Sequence, residues 1–308
     1  MDKVISVIST ALPVFLALFI GMLCRSKNFL TRDGVDTLKK VVINLTLPFA
    51  LFSSFASAEY TLSSLVIPVL IFIICCIMLA LGFLWVKAGK YESRLAPFLA
   101  SGFEAGMLGI PLFGLLFPDQ ALSKFAILIL GQEIFVFTLY KMLLTGKTSP
   151  KAIINDFLTS PTLIAVVLGL VVGATGLYDA FRDWGINGIF ESVCSFISAP
   201  TATIILFTVG FDLVIKEIPW KKTAGFIAMR LVIAAVMLAI VILLNRTILN
   251  GVIFEGAAIL LFMLPSPYVI PIFSDEPAER VQISSSLSAL TLITMILFAV
   301  FSVVLGIM

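Results

Sequence analysis

Ten apolar segments, each close to the length that crosses a lipid bilayer, dominate this sequence of 308 residues. A helix that spans the hydrocarbon core needs about 20 apolar residues. With that window, the predicted spans cover residues 4–24, 38–58, 64–86, 95–117, 121–141, 160–178, 188–214, 223–245, 252–273 and 282–307. Only 12% of the residues are charged, about half the share typical of a soluble protein. The sequence therefore predicts an all-α membrane protein with ten transmembrane helices.

The composition excludes several classes of function. The chain contains no histidine, which rules out the catalytic triads and zinc sites that depend on imidazole. A net charge of +2 provides no electrostatic basis for binding nucleic acid. The four cysteines lie in or beside apolar segments without CxxC spacing, which is typical of buried structural residues. We expect no enzymatic activity, no metal and no cofactor.

Basic residues alternate between the connections. They concentrate in the first connection (Arg25, Lys27, Arg32, Lys39, Lys40), the third (Lys87, Lys90, Arg94), the fifth (Lys141, Lys147, Lys151) and the seventh (Lys216, Lys221, Lys222). Because basic residues mark the cytoplasmic side, the odd connections are predicted inside and both termini outside. The first apolar run has no small-residue cleavage site, so it is predicted to be a span rather than a removable signal peptide.

The positions of proline indicate an internal repeat. Pro13 and Pro161 open the first and sixth spans, and Pro48 and Pro200 interrupt the second and seventh. The fourth and ninth spans share an Ile-Pro-X-Phe pattern at residues 110–113 and 270–273. These matches predict two five-helix repeats, residues 1–155 and 156–308. Since five is odd, the second repeat must cross the membrane upside down, which is typical of alternating-access transporters.

Two spans are broken. Residues 101–111 of the fourth span contain three glycines and a proline, and residues 264–271 of the ninth contain three prolines. Neither stretch can form a continuous helix. Because freed backbone groups are costly in lipid, both breaks should lie inside the bundle or face a wet cavity. We interpret them as the solute site, with a purely structural kink as the alternative.

An acidic residue, Glu104, lies within the fourth span. Ionisable residues at this depth are rare and usually functional, so Glu104 is predicted to bind a cation, carry a coupled proton or face the substrate. Gln132 and Glu133 lie midway along the fifth span, where pairing with a neighbouring helix is an equal alternative. Arg230 is expected to extend towards the cytoplasmic side, with a structural or interfacial role.

Polar residues also accompany the kinks of the second and seventh spans. Pro48 should free the carbonyl of Asn44, and Thr201 follows Pro200. Helix packing by small and polar residues explains these features equally well. The predicted substrate contacts are Asn44, Gly102, Glu104, Gly106, Pro111, Gln132, Thr201, Pro265, Ser266, Tyr268 and Pro271, and the predicted coupling-ion residues are Glu104 and Glu133.

Three motifs resemble those of the auxin efflux carrier family of bacteria and plants. Residues 44–48 (Asn-Leu-Thr-Leu-Pro) are similar to the second-helix motif of that family, and residues 106–112 to its fourth-helix crossover. The three serines at 284–286 fit the opening of its last helix. The resemblance covers the whole chain.

The resemblance implies ten helices in two inverted repeats, with scaffold and transport domains formed from both and with crossed broken helices. Sodium–proton antiporters and sodium–bile acid symporters share that architecture. Family members carry organic anions, so an organic acid in the bacterial inner membrane is the expected solute and setting. The expected partners are this small molecule and the lipid bilayer, and the sequence allows a homodimer.

The chain departs from the family pattern at Glu104, where an asparagine usually precedes the crossover. An asparagine can donate to a carboxylate, whereas an ionised glutamate repels one. Glu104 is therefore predicted to be a proton- or sodium-coupling site. The alternatives left open are a transporter-like receptor, a channel, and a carrier of a neutral or cationic solute.

Overall fold

The computed structural model describes residues 2–58, 60, 62–146, 159–213, 220–273 and 276–307. Every regular element in these ranges is helical. The helices are α1 (Asp2–Ser26), α2 (Arg32–Ala56), α3 (Leu62–Ala88), α4 (Ala96–Leu116), α5 (Ser123–Thr145), α6 (Pro161–Ala174 and Leu177–Asp183), α7 (Asn187–Asp212), α8 (Trp220–Thr247), α9 (Glu255–Met263, with a 3₁₀ turn at Ile270–Phe273) and α10 (Pro277–Ile307). The predicted cytoplasmic residues Lys147, Lys151 and Lys216, and the predicted junction between repeats at 155–156, lie outside the described residues.

Seven of these helices are long and apolar enough to cross a membrane, namely α2, α3, α4, α5, α7, α8 and α10. The two parts of α6, which meet at 65°, could form an eighth span. The predicted all-helical, multi-pass character is thus confirmed for the described residues. The span predicted over 160–178 falls on the bent α6, and that over 252–273 falls on the interrupted α9. Of α1, which carries the span predicted over 4–24, only Leu12–Ser26 is described as an apolar helix, so the count of ten transmembrane helices stays a prediction.

Pro48 does not break α2. Instead, residues Val42–Thr46 form a single π-helical turn ahead of it, closed by a hydrogen bond from the Leu47 N–H to the Val42 carbonyl. The proline ring would clash with the carbonyl four residues earlier in a regular helix, and the wider turn relieves that clash. The added residue also changes which side chains share a helix face beyond this point.

Four helices pack as two close pairs, α1 along α7 and α2 along α6, and we call them the frame group. A Cβ on Gly210 of α7 would lie 2.1 Å from the Leu18 carbonyl oxygen of α1. A Cβ on Gly169 of α6 would lie 2.7 Å from the Phe52 carbonyl oxygen of α2. Small residues allow backbones to approach this closely. In lipid, where the hydrophobic effect does not drive helices together, such close packing stabilises their association.

The remaining helices, α3, α4, α5, α8, α9 and α10, form a second unit that we call the crossing group. The interrupted segments of α4 and α9 lie at its centre. Buried aromatic rings support them, with Phe103 and Phe262 in edge contact at 5.1 Å between centroids and Phe98 and Tyr140 at the same distance. Rigid packing of this kind fixes the two breaks relative to each other.

Candidate functional site

The breaks in α4 and α9 lie directly against each other. Gly102 has a φ of +71°, and a Cβ there would lie 2.9 Å from Cγ of Pro267. Only glycine combines this backbone conformation with so close an approach. The Glu104 N–H donates to the Pro265 carbonyl at 2.8 Å, and the Tyr268 N–H donates to Oε2 of Glu104 at 2.7 Å. The backbone and side chain of Glu104 therefore each join the two broken segments.

Arg230 of α8 binds the opposite side of the crossing. Its guanidinium donates to the Ala100 carbonyl at 3.0 Å and to the Leu264 carbonyl at 2.9 Å, one from each broken segment. It also lies over the Phe103 ring, 4.7 Å from the centroid, and the residue is only 1% exposed. Arg230 has the structural role that was one of the two expected, but its side chain ends inside the bundle and does not extend towards the cytoplasm. A cation is favourable where carbonyls point away from a helix end.

Other donors satisfy three further carbonyls near the ends of the first halves of α4 and α9. The Ser266 hydroxyl donates to the Leu99 carbonyl, and the Thr294 hydroxyl donates to the Met263 carbonyl at 2.6 Å. The Tyr140 hydroxyl donates to the Phe98 carbonyl at 2.9 Å. An unsatisfied backbone group in the membrane costs several kcal/mol, so these side chains make the interruptions tolerable.

The second half of α4 begins at Glu104. Residues Ala105–Gly109 form a π-helical turn, and the N–H groups of Leu108 and Gly109 both donate to the Glu104 carbonyl, at 3.2 and 3.1 Å. The amide end of a helix carries partial positive charge and favours an anion. The carboxylate of Glu104 therefore occupies a position that an anionic solute would otherwise find attractive.

Gln132 connects the backbone next to Glu104 to a second acid. The Phe103 N–H donates to Oε1 of Gln132 at 2.9 Å, and Nε2 of Gln132 donates to Oε1 of Glu133 at 2.9 Å. Gln132 is 2% exposed, and these two bonds fix the orientation of its amide. The pairing alternative for Gln132 and Glu133 is thus realised, and in a way that holds both acids at the crossing.

A cavity of about 1080 Å³ separates the frame group from the crossing group. Both groups contribute to its wall, and Glu104, Glu133 and Tyr268 line it. The frame group supplies Arg25, Arg32, Asp36, Lys39, Lys40 and Asp212, and α10 supplies Arg280, Ser284, Ser285, Ser288 and Thr291. The Tyr268 hydroxyl lies 2.9 Å from that of Thr291, which ties the loop after α9 to α10.

A network of charges forms the rim of the cavity. Asp212 accepts hydrogen bonds from Arg32, at 2.6 Å, and from Lys39. Asp36 lies 3.7 Å from Arg32 and 3.6 Å from Lys39. Two cations and two anions thus balance each other, and they join the ends of α2 and α7.

Two further cations on the cavity wall have no acidic partner among the described residues. Arg25 donates to the Phe211 carbonyl at 3.2 Å, and Lys40 forms no ion pair there. The frame-group wall therefore presents positive charge, while the crossing group presents two carboxyl groups.

The predicted site residues divide into those on the cavity wall, those in the crossing behind it and three that lie elsewhere. Six line the cavity: Glu104, Gly106, Gln132, Glu133, Tyr268 and Pro271. Three others belong to the crossing behind it: Gly102, Pro265 and Ser266. Pro111 is buried in the second half of α4, and Thr201 is buried in α7 with a hydroxyl that has no partner among the described residues. The side chain of Asn44 is exposed and donates to the Lys40 carbonyl at 2.8 Å, away from the cavity.

Sequence reasoning missed the roles of Arg230 and of the rim. The basic residues of the first connection were interpreted only as a topology signal. Ser284 and Ser285 line the cavity, and the resemblance to the family is the one signal in the sequence that points to them. A signal for Arg230 existed, because a cation within a long apolar helix needs partners inside the protein.

Long apolar helices, two crossed interruptions and a charged cavity between helix groups define a multi-pass membrane transporter. The sequence profile of a family described as "Membrane transport protein" matches residues 6–158, about half of the chain, in agreement with the resemblance to the auxin efflux carriers. An uncharacterized transporter of Methanothermobacter thermautotrophicus is 25% identical over 212 residues, 66% of this chain and 67% of the relative. An uncharacterized transporter of Methanocaldococcus jannaschii is 24% identical over 229 residues, 70% of this chain and 72% of the relative.

Proposed function

We propose that this protein is a secondary active transporter that carries a small organic acid by alternating access at the crossed helices. The observation that carries the proposal is Glu104, which joins both broken segments and lines a cavity of about 1080 Å³ between two helix groups. A solute in that cavity would contact the frame group and the crossing group at once. Glu104 would couple its passage to a proton or another cation.

The packing of the frame group supports ten helices in two inverted repeats, residues 1–155 and 156–308. If the second repeat copies the first, α6 corresponds to α1 and α7 to α2. A pseudo-two-fold axis then turns the α1–α7 contact into an α6–α2 contact, and these are the two close pairs. Repeats related in this way provide two similar conformations of opposite orientation, which is the basis of alternating access.

The charges of the rim support an orientation. Arg25, Arg32, Lys39 and Lys40 belong to the first connection and line the same cavity. The positive-inside rule makes this the cytoplasmic side of the cell membrane, with both termini outside. The structure then corresponds to a state in which the cavity opens inward.

A thermal-shift screen of the purified protein tests the solute class. Organic acids, amino acids and organic cations would be compared in sodium and in sodium-free buffer. We expect organic acids to raise the unfolding temperature, because Arg25 and Lys40 line the cavity and form no ion pair within the described ranges. Counterflow in proteoliposomes, with a labelled form of a stabilising compound, then separates a carrier from a channel or a receptor. Only a carrier takes up external label in exchange for unlabelled solute that was loaded inside the vesicles.

A carrier of cationic or neutral solutes is the second candidate. Two carboxyl groups, Glu104 and Glu133, line the crossing-group wall, and an ionised pair would attract a cation. Stabilisation by amines, without any effect of organic acids, would favour this candidate and overturn the first.

A further inference from the structure

Three ionisable groups meet at the crossing of α4 and α9. Arg230 binds the Leu264 carbonyl, and the next carbonyl along, that of Pro265, accepts the Glu104 N–H. Gln132 then links the backbone of α4 beside Glu104 to the carboxyl of Glu133. The two acids and the one base are therefore joined into one unit by Gln132 and by the backbone of the two broken segments, without a direct bond between the charged groups.

The charges of this unit do not balance when all three groups are ionised. Arg230 contributes +1 and the two glutamates together −2, which leaves a net charge of −1 in the interior of the protein. A net charge in a medium of low dielectric constant is costly. Two nearby carboxylates that face such a cost retain a proton between them. One proton brings the net charge of the unit to zero.

We propose that Glu104 and Glu133 share a single proton, and that this proton is the ion coupled to transport. The inference rests on the proposed function for its second half and on the geometry of the crossing for its first. The proton enters from water in the cavity, which both acids line. It returns to water on the other side of the membrane when the crossing is exposed there, so no other reactant is needed.

Four of the carbonyls at the breaks already accept hydrogen bonds from the protein, which favours a proton over sodium. A hard metal cation needs several oxygen ligands, and broken helices usually provide them as free carbonyls. Here the carbonyls of Ala100 and Leu264 accept from Arg230, that of Leu99 from Ser266, and that of Pro265 from Glu104. These oxygens already accept hydrogen bonds from the protein itself, and two of them face the positive charge of Arg230.

The charges that face the pair from other elements do not alter this balance. They are Arg25 of α1, Arg32, Asp36, Lys39 and Lys40 of α2, Asp212 of α7, Tyr268 after α9 and Arg280 of α10, with Cys75 of α3 and Tyr140 of α5 behind the crossing. The rim network of Arg32, Asp36, Lys39 and Asp212 sums to zero. Lys40 and Arg280 are exposed, so water screens them, and Arg25 is bound to the carbonyl and the ring of Phe211.

Infrared difference spectroscopy of the purified protein tests the proposal without any solute. A protonated carboxyl has its own C=O stretch, and its intensity at neutral pH would be compared in sodium and in choline buffer. We expect a band equal to one group per chain that sodium does not change. Glu104→Gln and Glu133→Gln should each abolish it, because the remaining acid is then balanced by Arg230. Glu255→Gln is the control, since that carboxylate is paired with Arg246 at 2.7 and 2.6 Å.

Arg230→Met provides a sharper test. The unit would then need two protons to reach zero charge, so the band should double, a change that a purely structural role would not produce. The proposal is overturned if wild-type protein shows no band, if sodium removes the band at constant pH, or if one glutamine variant retains it in full. The comparison of the wild-type band in the two buffers still tests the proposal if the Arg230 variant fails to fold. Because no transport is measured, a missing solute activity would count against the proposed function alone.

Discussion

Replacing Arg230 by methionine should lower the free energy of unfolding by about 3 kcal/mol. The change leaves the Ala100 and Leu264 carbonyls without a donor, and each orphaned buried group costs about 1–3 kcal/mol. The loss of the contact with Phe103 adds up to about 2 kcal/mol. Release of the cost of burying a cation offsets part of this sum. Arg230→Lys, which keeps the charge with a single nitrogen, should lose roughly half as much.

Reversible unfolding in mixed detergent micelles measures the effect, and Arg246→Met is the matched control. Arg246 lies on the same helix and pairs with Glu255, but its side chain is 67% exposed. An exposed pair contributes about 0–1 kcal/mol. Equal losses for the two methionine variants would refute the view that Arg230 holds the two broken segments together.

Three further predictions concern packing, the cavity and its charge. Gly210→Ala should destabilise the protein by about 1–3 kcal/mol because its Cβ meets backbone at 2.1 Å, whereas Gly188→Ala, with open space around it, should be neutral or stabilising in the same unfolding assay. In a cysteine-free background, Ser285→Cys should react with a water-soluble thiol reagent and Ser286→Cys should not. Ser285 lines the cavity, whereas Ser286 is fully buried. Equal labelling of the two variants would contradict the assigned cavity wall. Asp212→Asn should tighten binding of a stabilising organic acid by up to about tenfold, or about 1.4 kcal/mol, because it removes the carboxylate that pairs with Arg32 and Lys39. A thermal-shift titration at low salt measures the effect, and an effect that does not shrink in high salt would argue against an electrostatic origin.

The membrane fold and the position of the breaks could be predicted because their causes are local. Hydropathy over a window of residues predicts a span, and clustered proline and glycine predict an interruption wherever they occur. Glu104 was identified for the same reason, since a single acid in an apolar segment is conspicuous. Its neighbour in space, Gln132, was placed correctly only as one of two alternatives.

The partners of Arg230 could not be predicted, because they lie 130 and 34 residues away along the chain. Nothing in the local sequence indicates which carbonyls a buried cation will meet. Asn44 illustrates a different difficulty. The π turn at Val42–Thr46 changes the rotation of α2, and Asn44 lies on an exposed face rather than on the cavity wall. The rim network depends on the packing of α2 against α7, which hydropathy does not specify.

The most direct test of the central claim compares two assays of Glu104→Gln in proteoliposomes. Glutamine can still accept the Tyr268 N–H, so the crossing should remain intact. We predict that counterflow of the solute persists while uptake driven by a proton gradient is lost. Exchange of solute needs only the intact substrate cavity, whereas uptake driven by the gradient also needs the proton held by Glu104 and Glu133. Unchanged dependence of uptake on the gradient would contradict the account of Glu104 as the residue that couples transport.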